Sequence, residues 1–209
     1  MMQYRRVPIH GEGLVVAFDM CSSSNVLEEL TLCGDLHRYN QLLRSVKEYL
    51  AKAQDDVLFD PYKFTGDGWI LLFPKGTNGE RLFRFLMALC RFFEKEFANQ
   101  VLRHLGTPPA LTGLTFGIEK GPLIATTIYG QREYFGRALN VACRLQSAIK
   151  DNDKAPAYKA LVSNAAYHEY LSCAASRVKV WKVFRRLRNI SGGGKFRCRK
   201  IEFMNERAT

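Results

Sequence analysis

Two short turns constrain this chain most. Thr65-Gly66-Asp67-Gly68 and Glu119-Lys120-Gly121-Pro122 are compact turn signals, each lying between two apolar runs. Turns that short predict two antiparallel strand pairs. The first pair reads as Val57–Phe59 with Ile70–Phe73, and the second as Leu111–Ile118 with Leu123–Tyr129. Helical spacing fills the gaps. Leu36–Ala53 places Leu36, Tyr39, Leu42, Leu43, Val46 and Leu50 on one stripe. A longer helix from Asn78 does the same with Leu82, Phe85, Leu86, Leu89, Phe93 and Phe97, and Ala138–Ile149 reads as a third. An apolar strand, Leu14–Met20, precedes all of these. Val178–Leu187 and Phe196–Phe203 read as closing strands around Ser191-Gly192-Gly193-Gly194. The order predicts an α+β fold: a mainly antiparallel sheet with helices packed on one face.

The 209 residues suffice for one well-buried domain, expected to span 1–209. No apolar run approaches the ~18–20 residues that cross a bilayer, and the first dozen residues hold no signal-peptide core. The expectation is a soluble, cytoplasmic protein with no membrane partner. Six scattered cysteines lack zinc-ligand spacing and read as free thiols. The net charge is +11, and residues 151–209 carry 13 Lys/Arg against 5 Asp/Glu. Such a basic segment suits a polyanion or a solvated face equally. Only Lys195-Phe196-Arg197 interleaves basic and aromatic residues, too short a signature to predict a nucleic-acid partner. A nucleoside triphosphate is the polyanion expected.

Two carboxylates stand out. Asp19 ends an otherwise apolar strand, where an acid has no packing purpose, and Asp67 sits in the first hairpin turn. Gly-Asp-Gly is ordinary turn chemistry taken alone. Together, two carboxylates at a sheet edge can hold two divalent cations ~3.5–4 Å apart, and hard oxygen donors suit Mg²⁺ or Mn²⁺. Ser22-Ser23-Ser24, just beyond Asp19, leave backbone N–H groups for phosphate or cap the next helix.

These residues resemble class III adenylate and guanylate cyclases. That family has an apolar strand ending in a metal-binding Asp, matched by Val15-Val16-Ala17-Phe18-Asp19. Its K-x-x-G-D hairpin is matched by Lys63-Phe64-Thr65-Gly66-Asp67, and its G-[IV]-x-x-G-P turn by Gly117 to Pro122. Its G-x-x-[VL]-N-x-A-x-R helix start is matched by Gly136 to Arg144. Four motifs in the family's order span residues 14–150. The resemblance implies a ferredoxin-like cyclase fold and a homodimer. It implies two Mg²⁺ or Mn²⁺ ions held by Asp19, Asp67 and the Met20 carbonyl. Asn140 is then expected to orient the ribose and Arg144 to stabilise charge at phosphorus, both facing the metals of the other protomer. Lys63 is expected to touch the base, with Glu133 at the base-reading position and Lys195, or else Arg185, Arg186 or Arg188, on the triphosphate.

The implied reaction is attack of a ribose 3′-hydroxyl on the α-phosphorus, giving a 3′,5′-cyclic nucleotide second messenger and pyrophosphate. Three features depart from the family pattern: Ser22-Ser23-Ser24 replaces a usual Gly-Phe-Thr, the loop before Gly136 is about two residues short, and Glu133 replaces a shorter residue. A small stand-alone chain with a reshaped base site resembles the pyrimidine cyclases of the bacterial Pycsar anti-phage system. UTP, then CTP, is the expected substrate, with Tyr62, Tyr134 and Phe135 narrowing the pocket. A Lys donor and a Glu acceptor fit uracil, guanine or adenine alike, so adenylate cyclisation stays open. So does a silent nucleotide-binding domain of the same fold.

Overall fold

A computed structural model describes residues 5–149 and 158–203. Its framework is a seven-stranded sheet in the order β2-β3-β1-β4-β7-β9-β8. β1 (Glu12–Met20) lies between β3 (Gly68–Pro74) and β4 (Leu114–Pro122), antiparallel to both. Nearly every β1 side chain is buried. That explains its unbroken apolar run: a strand covered on both faces has no solvent side to alternate toward. β2 (Asp60–Phe64) is one edge strand, where Pro61 is tolerated, and β8 (Lys179–Arg185) is the other. β7 (Lys159–Ser163) runs parallel to β4, and β9 (Phe196–Glu202) joins β7 to β8.

Alternate β1 residues face two cores. Leu14, Val16 and Phe18 join the larger core beneath α1 (Ser23–Leu32), α2 (Leu36–Ala53) and α3 (Gly79–Gln100). Phe59, Phe73 and Phe85 form an aromatic knot there, with ring centroids 5.1–6.0 Å apart. Asn78 caps α3 by accepting the Arg81 N–H at 3.0 Å, a contact worth about 1 kcal/mol. Val15 and Ala17 face the second core with Ala138 and Ala142 of α4 (Arg137–Ser147). The α+β class and mainly antiparallel sheet agree with the sequence reading. The helices, however, do not share one face, because α4 packs opposite α1–α3. Gly117 permits this: a Cβ there would strike the Ala142 carbonyl oxygen and the Gln146 nitrogen.

Both expected hairpins are redrawn. Val57–Phe59 is irregular chain whose Val57 and Phe59 face the core, and the strand begins at Asp60. The second pair does not form. β4 runs through the Glu119–Pro122 turn signal to the end of its ladder with β1. β5 (Ile124–Ile128) then pairs with β6 (Gln131–Phe135) in a separate two-stranded ribbon.

Candidate active site

The β1–β3 register sets Asp19 opposite Gly68. A Cβ on Gly68 would collide with the Phe18 carbonyl oxygen, so this crossing admits only glycine. The residue before it, Asp67, is thereby delivered beside Asp19. Burial first, then the Asp67 carboxylate, push the Asp19 carboxyl up to about 8. Ser23, in the first turn of α1, donates its hydroxyl to Asp67 Oδ2. Gln146, at the end of α4, donates to Thr115 Oγ1 at 3.1 Å and lies 3.5 Å from Asp19 Oδ2. Asp19 Oδ1 is buried with no hydrogen-bond partner among the described residues. Tyr39 closes the group from α2. Its buried hydroxyl also lacks a hydrogen-bond partner there, and burial followed by Asp67 and Asp19 drives its pKa upward.

Beside these carboxylates opens a cleft of roughly 870 Å³, lined by Asp19, Ser22, Asn25, Thr115, Gln146 and Lys159 among others. Lys159 is nearly fully buried, on β7, level with Thr115 and Asp19 across the sheet.

The residues fit a pair of hard divalent cations. An orphaned buried carboxylate oxygen next to a second carboxylate is a charge arrangement that a cation relieves. A pair of carboxylates suits Mg²⁺, which is commonly held by one or two carboxylates with substrate phosphates and water completing the shell. Met20 buries its side chain in the larger core, so only its backbone carbonyl is available to such an ion.

A second group lies on the α4 face. Lys63 Nζ is 3.6 Å from Glu133 Oε2, and Tyr62 donates its hydroxyl to the same oxygen. The Tyr62 hydrogen bond first, then Lys63, hold the Glu133 carboxyl below the usual range. Tyr62 in turn accepts the Tyr134 N–H at 3.2 Å. The aromatics expected to narrow a base pocket therefore divide. Tyr134 is a core residue, Tyr62 holds Glu133, and Phe135 is exposed.

Asn140 and Arg144 project from the exposed side of α4, one turn apart. Neither side chain has a hydrogen-bond or ion-pair partner among the described residues. Gln146, on the inner side of α4, is what reaches Asp19 within the chain. Lys195 lies in the exposed turn before β9. The ladder puts that turn at the end of the sheet away from Asp19, because Thr115, Lys159 and Glu202 share the Asp19 level. The fold thus brings Asp19 to Asp67, and Lys63 to Glu133. It does not bring Lys195 to the carboxylates.

Sequence reading missed Ser23 as a partner of Asp67, together with Tyr39, Gln146 and Lys159. Tyr39 carried a signal, a hydroxyl on an otherwise aliphatic helix stripe. Lys159 carried none.

No protein-family model and no curated protein sequence matches this chain. Solved structures do. The adenylyl cyclase CyaB from P. aeruginosa superposes with a TM-score of 0.67 at 18% identity, covering 96% of this chain and 98% of that one. The chain has the fold of a cyclase domain. An adenylate cyclase from Trypanosoma brucei, solved as a monomer, gives 0.65 at 16% identity over 94% and 92% of the two chains. The guanylate cyclase domain of RhGC from Catenaria anguillulae, solved with GTP, gives 0.61 at 13% over 94% and 99%. The class III adenylyl and guanylyl cyclase fold expected from the four motifs is the fold observed. No helix among the described residues is long and apolar enough to cross a membrane.

Proposed function

We propose that the chain is a class III nucleotidyl cyclase acting as a homodimer. The observation that carries this is the register of β1 against β3, which places Asp19 and Asp67 together and leaves Asp19 Oδ1 unsatisfied. In a cyclase fold, that is a site for two divalent cations. Mg²⁺ or Mn²⁺ bound there would neutralise charge on the triphosphate and favour ionisation of the ribose 3′-hydroxyl. The protein's own part is positioning and charge. Ser23 orients Asp67, Thr115 and Gln146 flank Asp19, and the Met20 carbonyl offers one more oxygen. The 3′-oxygen bonds to the α-phosphorus, the bond to the leaving pyrophosphate breaks, and the hydroxyl proton passes to solvent.

The remaining groups complete the site from the partner. The Asn140 and Arg144 side chains lack hydrogen-bond and ion-pair partners among the described residues and stand one helical turn apart, a spacing that lets them touch the ribose and the α-phosphate together. Lys195, distant from its own Asp19, contacts the triphosphate from across the interface. The exposed Ile124 and Phe135 of the β5–β6 ribbon offer apolar surface for that interface. Lys63 and Glu133 read the base. The preferred substrate is UTP, then CTP, and the product serves as a second messenger in anti-phage defence.

The test is direct. Incubation with Mn²⁺ and each of the four ribonucleoside triphosphates, followed by mass identification of the product, should give a 3′,5′-cyclic nucleotide and pyrophosphate. Product from ATP above all others would make the chain an adenylate cyclase. No product from any would leave it a nucleotide-binding domain of cyclase fold. A phage challenge of cells carrying wild type or Asp19→Ala tests the role in defence.

A further inference from the structure

Between Ser176 and Lys200 the sequence holds ten Lys or Arg and no Asp or Glu. The fold turns this tract into a hairpin, β8 against β9, at the open edge of the sheet. On its α1–α3 side the ladder sets Lys182 directly opposite Arg199, and Phe184 opposite Arg197. Like charges facing each other across strands are destabilising. No carboxylate relieves them: Lys182, Arg197 and Arg199 make no ion pair among the described residues.

The guanidinium groups are held by rings instead. Arg199 lies 5.2 Å from the Tyr167 ring centre and Arg197 lies 5.7 Å from that of Phe184. Stacking of this kind fixes an arginine without spending its N–H donors. The Nε of Arg199 is buried and has no hydrogen-bond partner among the described residues. Lys182, Phe184, Arg197, Arg199 and Asn164 line a cleft of roughly 280 Å³ with no acid among its lining residues. Phe184, at its rim, is 56% exposed.

We propose that this face of the β8–β9 hairpin binds the phosphate backbone of a single-stranded nucleic acid, with Phe184 as a stacking platform for a base. Cations following a strand beside an exposed ring are the general means of holding such a strand. Seven-residue strands make the basic tract about 23 Å long, more than a triphosphate spans. A lipid surface fits less well. The two large exposed rings of β8, Trp181 and Phe184, are an odd number of residues apart and so lie on opposite faces, which denies a bilayer one apolar plane. The sequence hid the cluster because its members sit on different strands, and only the ladder brings Lys182 to Arg199.

The experiment is fluorescence anisotropy of a labelled 20-nucleotide RNA, and of the same sequence as DNA, with the full chain in chelator at several salt concentrations. Three phosphate contacts predict a log–log salt slope near about −2 for a single strand. Lys182→Ala with Arg197→Ala should make the slope shallower by about 1.4. Phe184→Ala should weaken binding about fivefold or more at an unchanged slope. Both variants should keep the wild-type melting temperature and circular-dichroism spectrum, which report that they are folded. No binding at low salt, a slope unaltered by the double substitution, or preference for phosphatidylserine vesicles over the strand would overturn the proposal.

Discussion

Asp19 and Gly68 face each other across the β1–β3 ladder, and that pairing is what brings Asp67 to Asp19. Two carboxylates are thereby packed together, one of them with an unsatisfied oxygen. Asp19→Ala and Asp67→Ala should each abolish turnover and leave a folded protein. Asp19→Asn should be equally inactive, yet melt no lower than wild type without metal, because it replaces a buried carboxyl whose ionisation beside Asp67 is unfavourable. Added Mn²⁺ should raise the melting temperature of the wild type and not of Asp19→Asn. An Asn variant that still responds to Mn²⁺ would remove Asp19 from the metal site.

The composite site predicts complementation. Asp19→Ala and Arg144→Ala are each expected to be inactive, but a mixed dimer would carry one intact site. With free exchange, half of the dimers are mixed and each has one of its two sites, so activity should return to about a quarter of wild type. Exchange must be shown separately, for example by differential tagging. Proven exchange without recovered activity would place Asp19 and Arg144 in the same half-site.

What the sequence disclosed depended on whether a signal was local. The long helices, α2 and α3, announce themselves by stripes repeated over several turns, and β1 by an apolar run that only a twice-covered strand tolerates. Asp19 was visible as a charge with no packing reason. The Glu119–Pro122 turn misled because Gly and Pro mark a break in direction without saying what pairs next. There the chain leaves one sheet and starts another. Ser23 and Gln146 were hidden for a different cause. Each reaches the carboxylates only through tertiary approach, and for Gln146 that approach rests on one missing Cβ at Gly117.

Gly117 is accordingly a sharp test of how α4 is seated. A methyl group there meets helix backbone, which cannot rotate away. Gly117→Ala should cost about 1–3 kcal/mol of stability in urea unfolding, and it should lower turnover by displacing Gln146, Asn140 and Arg144 together. Gly194→Ala, with open space around it, should change stability by no more than about 0.5 kcal/mol. Equal effects at the two positions would contradict the close helix–sheet contact.

Glu119 predicts a pH dependence of stability. It is buried on β4, and burial raises its pKa despite the Ser163 hydroxyl that donates to it at 2.6 Å. A carboxyl with a higher pKa folded than unfolded takes up a proton on folding. Its contribution is therefore favourable at low pH and is lost as pH rises from the ordinary carboxylate value through the folded one. Glu119→Gln keeps an oxygen for Ser163 and the Lys120 N–H, and it should flatten that part of the stability–pH curve. Denaturation midpoints measured across mildly acidic pH would show it, and an unchanged slope would mean the carboxyl titrates normally.

Glu133 carries the prediction about the base. One of its oxygens already receives the Tyr62 hydroxyl and faces the Lys63 ammonium. The carboxylate is thus fixed as an acceptor, and the adjacent lysine as a donor. Tyr62 is anchored in the second core against Tyr134, their rings 5.3 Å apart and edge to face, so the pair cannot swing aside to widen the site. A donor–acceptor pair held between β2 and β6 penalises a two-ring base more than a one-ring base. A wrong base edge would also leave one of the two groups unpaired once the base covers it, which is worth on the order of 10²-fold in selectivity or more. Glu133→Ala should therefore lower the preference for UTP over ATP and GTP by about that factor, while total turnover falls less. Tyr62→Phe should give a smaller loss of the same kind, since it frees the carboxylate without removing it. Competition among the four ribonucleotides, read by mass spectrometry of the cyclic products, decides the matter: unchanged ratios in Glu133→Ala would mean that this carboxylate does not read the base.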